Sequence, residues 1–446
     1  MSIELNRRHF IGATALASGF LAAPSWAKRG ISSTWSTVQA YLDEKVASKY
    51  IPGDGGAIAH GTDQADFLVS GRLSQDPSSA AITPDSLWRC YSMTKPITGM
   101  AAMILIEEGK LSLDQNIADF LPAFANPRVL VNPDKSLQSR PSQAPISVRN
   151  LVTHTAGLGY AIVTKGPLLK EYLRLGLGAG QVSRKPIPGF DGGAPNPPTL
   201  AEFADRLATL PLIADPGVKW SYSVGLDLMG RVIEVASGMP FDAFVQKRIF
   251  DPLGMTSSFW QVPESEIGRF TTNHGATPFG TVPIDPARDS VYLDKTPPFG
   301  GSGLVSSMRD YDRFLAMLMG EGALGGTRIM KRETALMGMS NLVHPKTEMQ
   351  SFVKGQGFGA GGRVTLVPGA NGEGIGTYGW GGAASTVAWV DRTRGLRGNR
   401  SCLLRTSNLR RRIEIDTGDE WKDHAAKEKK SMSNPKRHAA LTARRS

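Results

Sequence analysis

The stretch YSMTKPITGMAAMILIEEGKLSLDQNI, residues 91–117, opens with a serine and a lysine three positions apart and continues as an apolar helix. Ile97, Met100, Ala101, Ile104 and Leu105 recur at helical spacing, and Gly109 supplies the stop. Pro96 falls early enough in that helix to be tolerated. A serine on the first turn of a helix points its hydroxyl toward backbone N–H groups that no helical carbonyl satisfies. Lys95, one turn on, shares a face with Ser92. A serine hydroxyl is a weak nucleophile until a neighbouring base takes its proton. A lysine walled by Met93 and Ile97 is penalised when charged, and so can serve as that base. The same spacing also fits an N-cap serine with a solvated lysine. S-x-x-K begins at Ser25, Ser92, Ser351 and Ser433, so spacing alone selects nothing.

Upstream, Ser36 to Lys49 has helical apolar spacing, and GGAIAH and DFLVSG read as two short strands joined by a polar turn. SLWRCY is a further strand or an extended lead-in to Ser92. Downstream, helices are expected near 200–210, 224–236 and 241–250, then a loop from about Gly268 to Phe299. MRDYDRFLAMLMG is an amphipathic helix, and strand character returns near 357–366 and 377–390. Strands at both ends with helices between predict an α+β, multi-domain architecture: a discontinuous antiparallel sheet flanked by helices, with a mostly helical domain inserted. The expected boundaries are 28–91 with 300–395 for the sheet domain and 92–299 for the helical one.

The first 27 residues fall outside this fold. Arg7 and Arg8 precede Phe10 and an apolar run from Ile11 to Ala23, and Ser25 and Ala27 stand at the −3 and −1 positions of a cleavage site. The run is too short to span a bilayer, so it reads as a cleavable signal peptide of the bacterial twin-arginine route. The expected location is periplasmic or secreted, with no membrane span after cleavage. Export permits disulfides, yet there are only two cysteines, Cys90 and Cys402. Cys90, two residues before Ser92, reads as a small buried hydrophobe rather than a nucleophile.

The net charge of +11 suggests nucleic acid, and the suggestion is misleading. Residues 392–446 hold 16 Lys plus Arg against 6 Asp plus Glu, which leaves the rest of the chain near neutral. Only seven of those 55 residues are Leu, Ile, Val or Phe, below what a segment needs to bury a core. The segment 396–446 is therefore expected to be a disordered or divergent basic tail, and the folded body no binder of nucleic acid.

No G-x-S-x-G elbow, H-E-x-x-H pair or Walker loop is present. One G-x-G-x-x-G, at Gly357, Gly359 and Gly362, has no helix after it and no acidic partner at the usual distance. Six stretches follow instead in a fixed order: the one quoted above, VRNLVTHTAGL from Val148, WSYSVGLDLMGRVIEVASG from Trp220, DPLGM from Asp251, GGSGLVSSMRDYDRF from Gly300 and GWGGAAST from Gly379. Together they resemble the serine β-lactamase and penicillin-binding-protein superfamily, and most nearly its class C β-lactamase-like esterases, the family VIII carboxylesterases. The resemblance runs from about residue 36 to 391.

That resemblance places the nucleophile on Ser92, its lysine on Lys95 and the tyrosine of Y-x-N on Tyr222, which shares the general-base role with the lysine. K-T-G falls on Trp380, Gly381 and Gly382, and the N–H groups of Ser92 and Ala383 become the oxyanion hole. Val224 and Tyr160 join Trp380, Gly381 and Gly382 as substrate-binding positions. His154, in HTAGL, is read as scaffold. Penicillin-recognising members hold the lactam with the Asn of Y-x-N and the Lys of K-T-G, and here those positions are Val224 and Trp380. An uncharged ester of small to medium acyl chain is therefore the expected substrate. The shared acylation chemistry leaves room for weak β-lactam hydrolysis. The alternatives are a β-lactamase or D-Ala-D-Ala-type peptidase, or an inactive homologue with a basic tail that binds nucleic acid or anionic surfaces. The resemblance implies neither a metal ion nor an organic cofactor.

Overall fold

The computed structural model describes residues 35–178, 184, 194–277, 280–349, 355–369, 372–402 and 404–405. The expected signal peptide, the S-x-x-K serines at Ser25, Ser351 and Ser433, and the tail from 406 on lie outside the described residues.

Helix α1, Ser36–Ala47, leads into strands β1, Gly53–His60, and β2, Asp66–Gly71. Five more strands come from the far end of the chain: β3, Gln356–Phe358; β4, Arg363–Thr365; β5, Tyr378–Gly382; β6, Thr386–Asp391; and β7, Leu396–Cys402. They form one antiparallel sheet in the order β3-β4-β5-β6-β7-β1-β2. The N-terminal and C-terminal strands of the sheet therefore meet between β7 and β1. Val38 and Leu42 of α1 cover one face, against Ile58, Leu68, Val387, Trp389 and Leu396.

Between these ends run helix α2, Thr94–Glu107, helix α3, Gly225–Ser237, and helix α4, Met308–Met319. Residues 94–105 are all buried, and α2 and α3 share the main apolar core. The strand Leu87–Arg89, just ahead of Ser92, pairs with Val305–Ser307 in a sheet of its own. G-x-G-x-x-G lies across the β3–β4 hairpin, with no helix behind it to take a phosphate.

Two expectations are corrected. The first is the tail boundary at 396, because LRGNRSC is an inner strand, paired with β6 on one side and β1 on the other and buried along its length. Its polar side chains find partners far away in sequence. Arg397 forms an ion pair with Asp312 on α4 at 2.9 Å and donates to the carbonyls of Gly61 and Asp63. Arg400 pairs with Asp54 on β1, and Asn399 donates to the Met308 carbonyl at 3.1 Å. Counting apolar residues misses this strand because its burial rests on matched charges.

The second is the loop from 268 to 299, which contains a hairpin of Asn273–Thr277 with Gly280–Asp285. Its ends are fixed by polar anchors rather than by an apolar period. Asp285 takes the Arg89 guanidinium at 2.5 Å, both side chains fully buried, and Asn273 donates to the Tyr91 hydroxyl.

Candidate active site

Ser92 stands on a single 3₁₀ turn, Tyr91–Met93, that opens directly into α2. Tyr91 has φ of 43°, a left-handed conformation rare outside glycine, with a strain of roughly 1–3 kcal/mol. Its surroundings enforce that geometry. Thr94 Oγ1 donates to the Tyr91 carbonyl at 2.6 Å, and Asn273 Nδ2 donates to its hydroxyl at 2.8 Å. The strained turn delivers the Ser92 hydroxyl to the start of α2.

Three side chains converge there. The Tyr222 hydroxyl donates to Ser92 Oγ at 2.6 Å, and Lys95 Nζ donates to the same oxygen at 3.1 Å. Lys95 is fully buried, so its ammonium must be satisfied inside the protein. It donates to the Gly301 carbonyl at 2.8 Å and lies 4.7 Å from the centre of the Tyr222 ring and 5.4 Å from that of Tyr160. Of the four S-x-x-K serines, Ser92 is the one among the described residues, and both Lys95 and Tyr222 lie within hydrogen-bond reach of its hydroxyl.

Gly301 carries a second contact that was not apparent in the sequence. Its N–H donates to Asp227 Oδ1 at 2.9 Å, so the backbone of one residue links the Asp227 carboxylate, through its N–H, to the Lys95 ammonium, through its C=O. A Cβ on Gly301 would lie 2.4 Å from Asp227 Oδ2, which is why glycine stands there. Asp227 is fully buried and its Oδ2 has no hydrogen-bond partner. Burial pushes its carboxyl up to about 6, with the Lys95 charge and the Gly301 N–H pulling the other way. The available signal was a lone carboxylate in the first turn of α3, which reads equally well as a dipole-capping residue.

Trp380, on β5, was expected to face substrate. Its indole Nε1–H reaches the Tyr222 hydroxyl at 3.3 Å, and the two rings lie 5.6 Å apart, so it helps to hold Tyr222. Gly382, the last residue of β5, comes so near the turn that carries Ser92 that a Cβ would sit 2.3 Å from the Cys90 carbonyl oxygen. That approach sets the end of β5 against the Tyr91–Met93 turn. Tyr160 packs on Tyr222 with ring centroids 5.3 Å apart, and is nearly buried.

Val224 is corrected. It is fully buried in the core at the start of α3 and presents no surface to a substrate. Burial pushes the Cys90 thiol up and away from thiolate reactivity, in keeping with a packing role. Among the described residues no group of three or more His, Cys, Asp or Glu is placed to hold a metal ion, and no helix is long and apolar enough to cross a membrane.

The β-lactamase family profile matches residues 38–423. "Esterase EstB" of Burkholderia gladioli is 31% identical over 393 residues, covering 82% of this chain and 89% of that protein. "ML-236A carboxylate methylbutanoyltransferase mlcH" of Penicillium citrinum is 32% identical over 56% of this chain and 55% of its own. Among solved structures, "EstCE1, a hydrolase with promiscuous acyltransferase activity" superposes with a TM-score of 0.68 at 21% identity, covering 88% of this chain and 98% of the other.

Proposed function

The chain belongs to the β-lactamase family, and on that premise we propose that it is a serine carboxylesterase working through an acyl-enzyme on Ser92. The observation that carries the proposal is the convergence of the Tyr222 hydroxyl and Lys95 Nζ on Ser92 Oγ, at 2.6 and 3.1 Å. Ser92 Oγ attacks the ester carbonyl while its proton passes to the Tyr222–Lys95 pair. The backbone N–H groups of Ser92 and Ala383 receive the developing oxyanion, a contact of the kind that contributes roughly 3–4 kcal/mol. Tyr222 returns a proton to the departing alcohol. Water, activated by the same pair, then attacks the acyl-enzyme carbonyl, and Ser92 leaves with its proton restored.

An ester is preferred over a penicillin because Trp380 and Val224 occupy the positions at which penicillin-recognising members place Lys and Asn. The Trp380 indole N–H is directed at Tyr222, and Val224 is buried. Neither offers a charge to the carboxylate of a lactam. A second reading, transfer of the acyl group to an alcohol, is supported by the relative named as a methylbutanoyltransferase. The pair that activates water would deprotonate an alcohol by the same route. Export by the twin-arginine route, with Arg7 and Arg8 as its signal, is part of the proposal.

The test is hydrolysis of p-nitrophenyl butyrate beside nitrocefin, with Ser92→Ala and Tyr222→Phe as controls. The proposal expects ester turnover that both substitutions abolish, and nitrocefin turnover far weaker. Full ester activity in Ser92→Ala, or nitrocefin as the better substrate, would overturn it.

A further inference from the structure

His154 follows the short helix Val148–Val152 and has φ of 58°, in the left-handed region that few residues other than glycine adopt. Its side chain is fully buried. In this conformation its carbonyl and its imidazole reach the same stretch of chain. The carbonyl accepts the Ser221 N–H at 2.9 Å. Nδ1 accepts the Ser223 N–H at 3.3 Å and lies 3.0 Å from Ser223 Oγ. The residue between them is Tyr222. One histidine thus grips the backbone on both sides of the general base.

The ring completes the grip. It stands edge-on to Tyr222 at 4.8 Å, to Phe358 at 5.1 Å and to Trp220 at 5.9 Å. Because a backbone N–H donates to Nδ1, that nitrogen is the acceptor and the ring proton sits on Nε2. Nε2 is buried with no hydrogen-bond partner. Burial, and then the Lys95 charge, hold the imidazole well below its ordinary range, consistent with a neutral ring. A strained backbone and a buried orphan donor each cost stability, so the position calls for a functional explanation.

We infer that His154 is a positioning residue: a neutral imidazole whose carbonyl and Nδ1 clamp the peptide on either side of Tyr222 and aim the phenol at Ser92. It touches no reacting atom and moves no proton. The inference rests on the reading of Ser92 and Tyr222 as the catalytic pair.

Two substitutions separate the clamp from mere packing. Asparagine tolerates left-handed φ and offers Oδ1 close to where Nδ1 stands, whereas leucine fills space and accepts nothing. On p-nitrophenyl butyrate, His154→Leu should lose on the order of 10²-fold in kcat, the scale of a misaimed catalytic group, with KM little changed. His154→Asn should recover about tenfold of that loss. Leucine within threefold of wild type, or asparagine no better than leucine, overturns the inference. If Ser92→Ala keeps full activity, the underlying reading fails instead, and the clamp fails with it. Should His154→Leu not fold, ¹⁵N-histidine NMR of the wild-type protein decides, with His154→Asn for assignment. A neutral, Nε2-protonated ring at pH 7 supports the clamp, and an Nδ1-protonated or cationic ring overturns it.

Discussion

Replacing Arg400 by methionine would remove one half of a buried ion pair and leave the other stranded. The guanidinium contacts both oxygens of Asp54 at 2.5–3.1 Å, and its side chain is 6% exposed against 0% for Asp54. It also lies 5.4 Å from the Tyr41 ring, so it packs between α1 and the sheet. Burial already lifts the Asp54 carboxyl above its ordinary range despite Arg400, and removing the cation lifts it further. Breaking such a pair from one side costs about 3–5 kcal/mol, whereas replacing both members is often nearly neutral. Arg400→Met should therefore lose about 3–5 kcal/mol in urea denaturation at pH 8. Asp54→Asn/Arg400→Met should recover most of that loss, a coupling of roughly 2–4 kcal/mol by double-mutant cycle. The sign with pH follows. A carboxyl whose folded pKa is raised above its unfolded 3.8 contributes stability below that value, and loses it as pH rises through the folded pKa. The deficit of Arg400→Met should thus be smaller at pH 5 than at pH 8. A cost below about 1 kcal/mol at both pH values would refute the reasoning, since it would put residue 400 in water and not on an inner strand.

Asp227→Asn keeps an acceptor for the Gly301 N–H and removes the buried charge. With the carboxyl moved from 3.8 to about 6, wild-type stability falls as pH rises through that interval by roughly 3 kcal/mol. The melting temperature of the variant should therefore overtake that of wild type between pH 4 and pH 8, while its kcat drops because Lys95 has lost its neighbouring charge. Equal pH dependence in both proteins would contradict this. Trp380→Phe deletes the donor to the Tyr222 hydroxyl, a bond of about 1 kcal/mol, and should lower kcat on p-nitrophenyl butyrate by roughly 5- to 10-fold. An unchanged kcat would leave Trp380 as a wall only. Replacing Arg7 and Arg8 together by lysine should leave the precursor uncleaved in the cytoplasm on fractionation, and normal export would remove the twin-arginine proposal.

The parts of the fold that were legible in the sequence share one physical origin, apolar periodicity. Helix α2 announced itself by the stripe through Ile97, Met100, Ile104 and Leu105, and α4 by its amphipathic pattern. Strands β1, β2 and β6 carry apolar residues at Ile58, Leu68, Val387 and Trp389, which are buried against α1. What escaped was burial achieved by pairing. Arg397 and Arg400 look like a solvated tail until Asp312 and Asp54 are seen opposite them, 85 and 346 positions away. The hairpin at 273–285 escaped for the same reason, being tied down by Arg89 and Tyr91.

At the site, Ser92, Lys95 and Tyr222 could be placed from ordered landmarks. Val224 could not, because motif position does not say which way a side chain turns. Asp227 reaches Lys95 only through the backbone N–H and C=O of Gly301, and no linear pattern displays that link.

The most direct measurement is the chemistry of Ser92 itself. The protein is treated with a fluorophosphonate probe, with and without excess p-nitrophenyl butyrate, and the labelled peptide is mapped by mass spectrometry. The account predicts a single adduct on Ser92 that the ester suppresses, and none in Tyr222→Phe over the same interval. A label on another residue, or Ser92 left unmodified in folded protein, would contradict it.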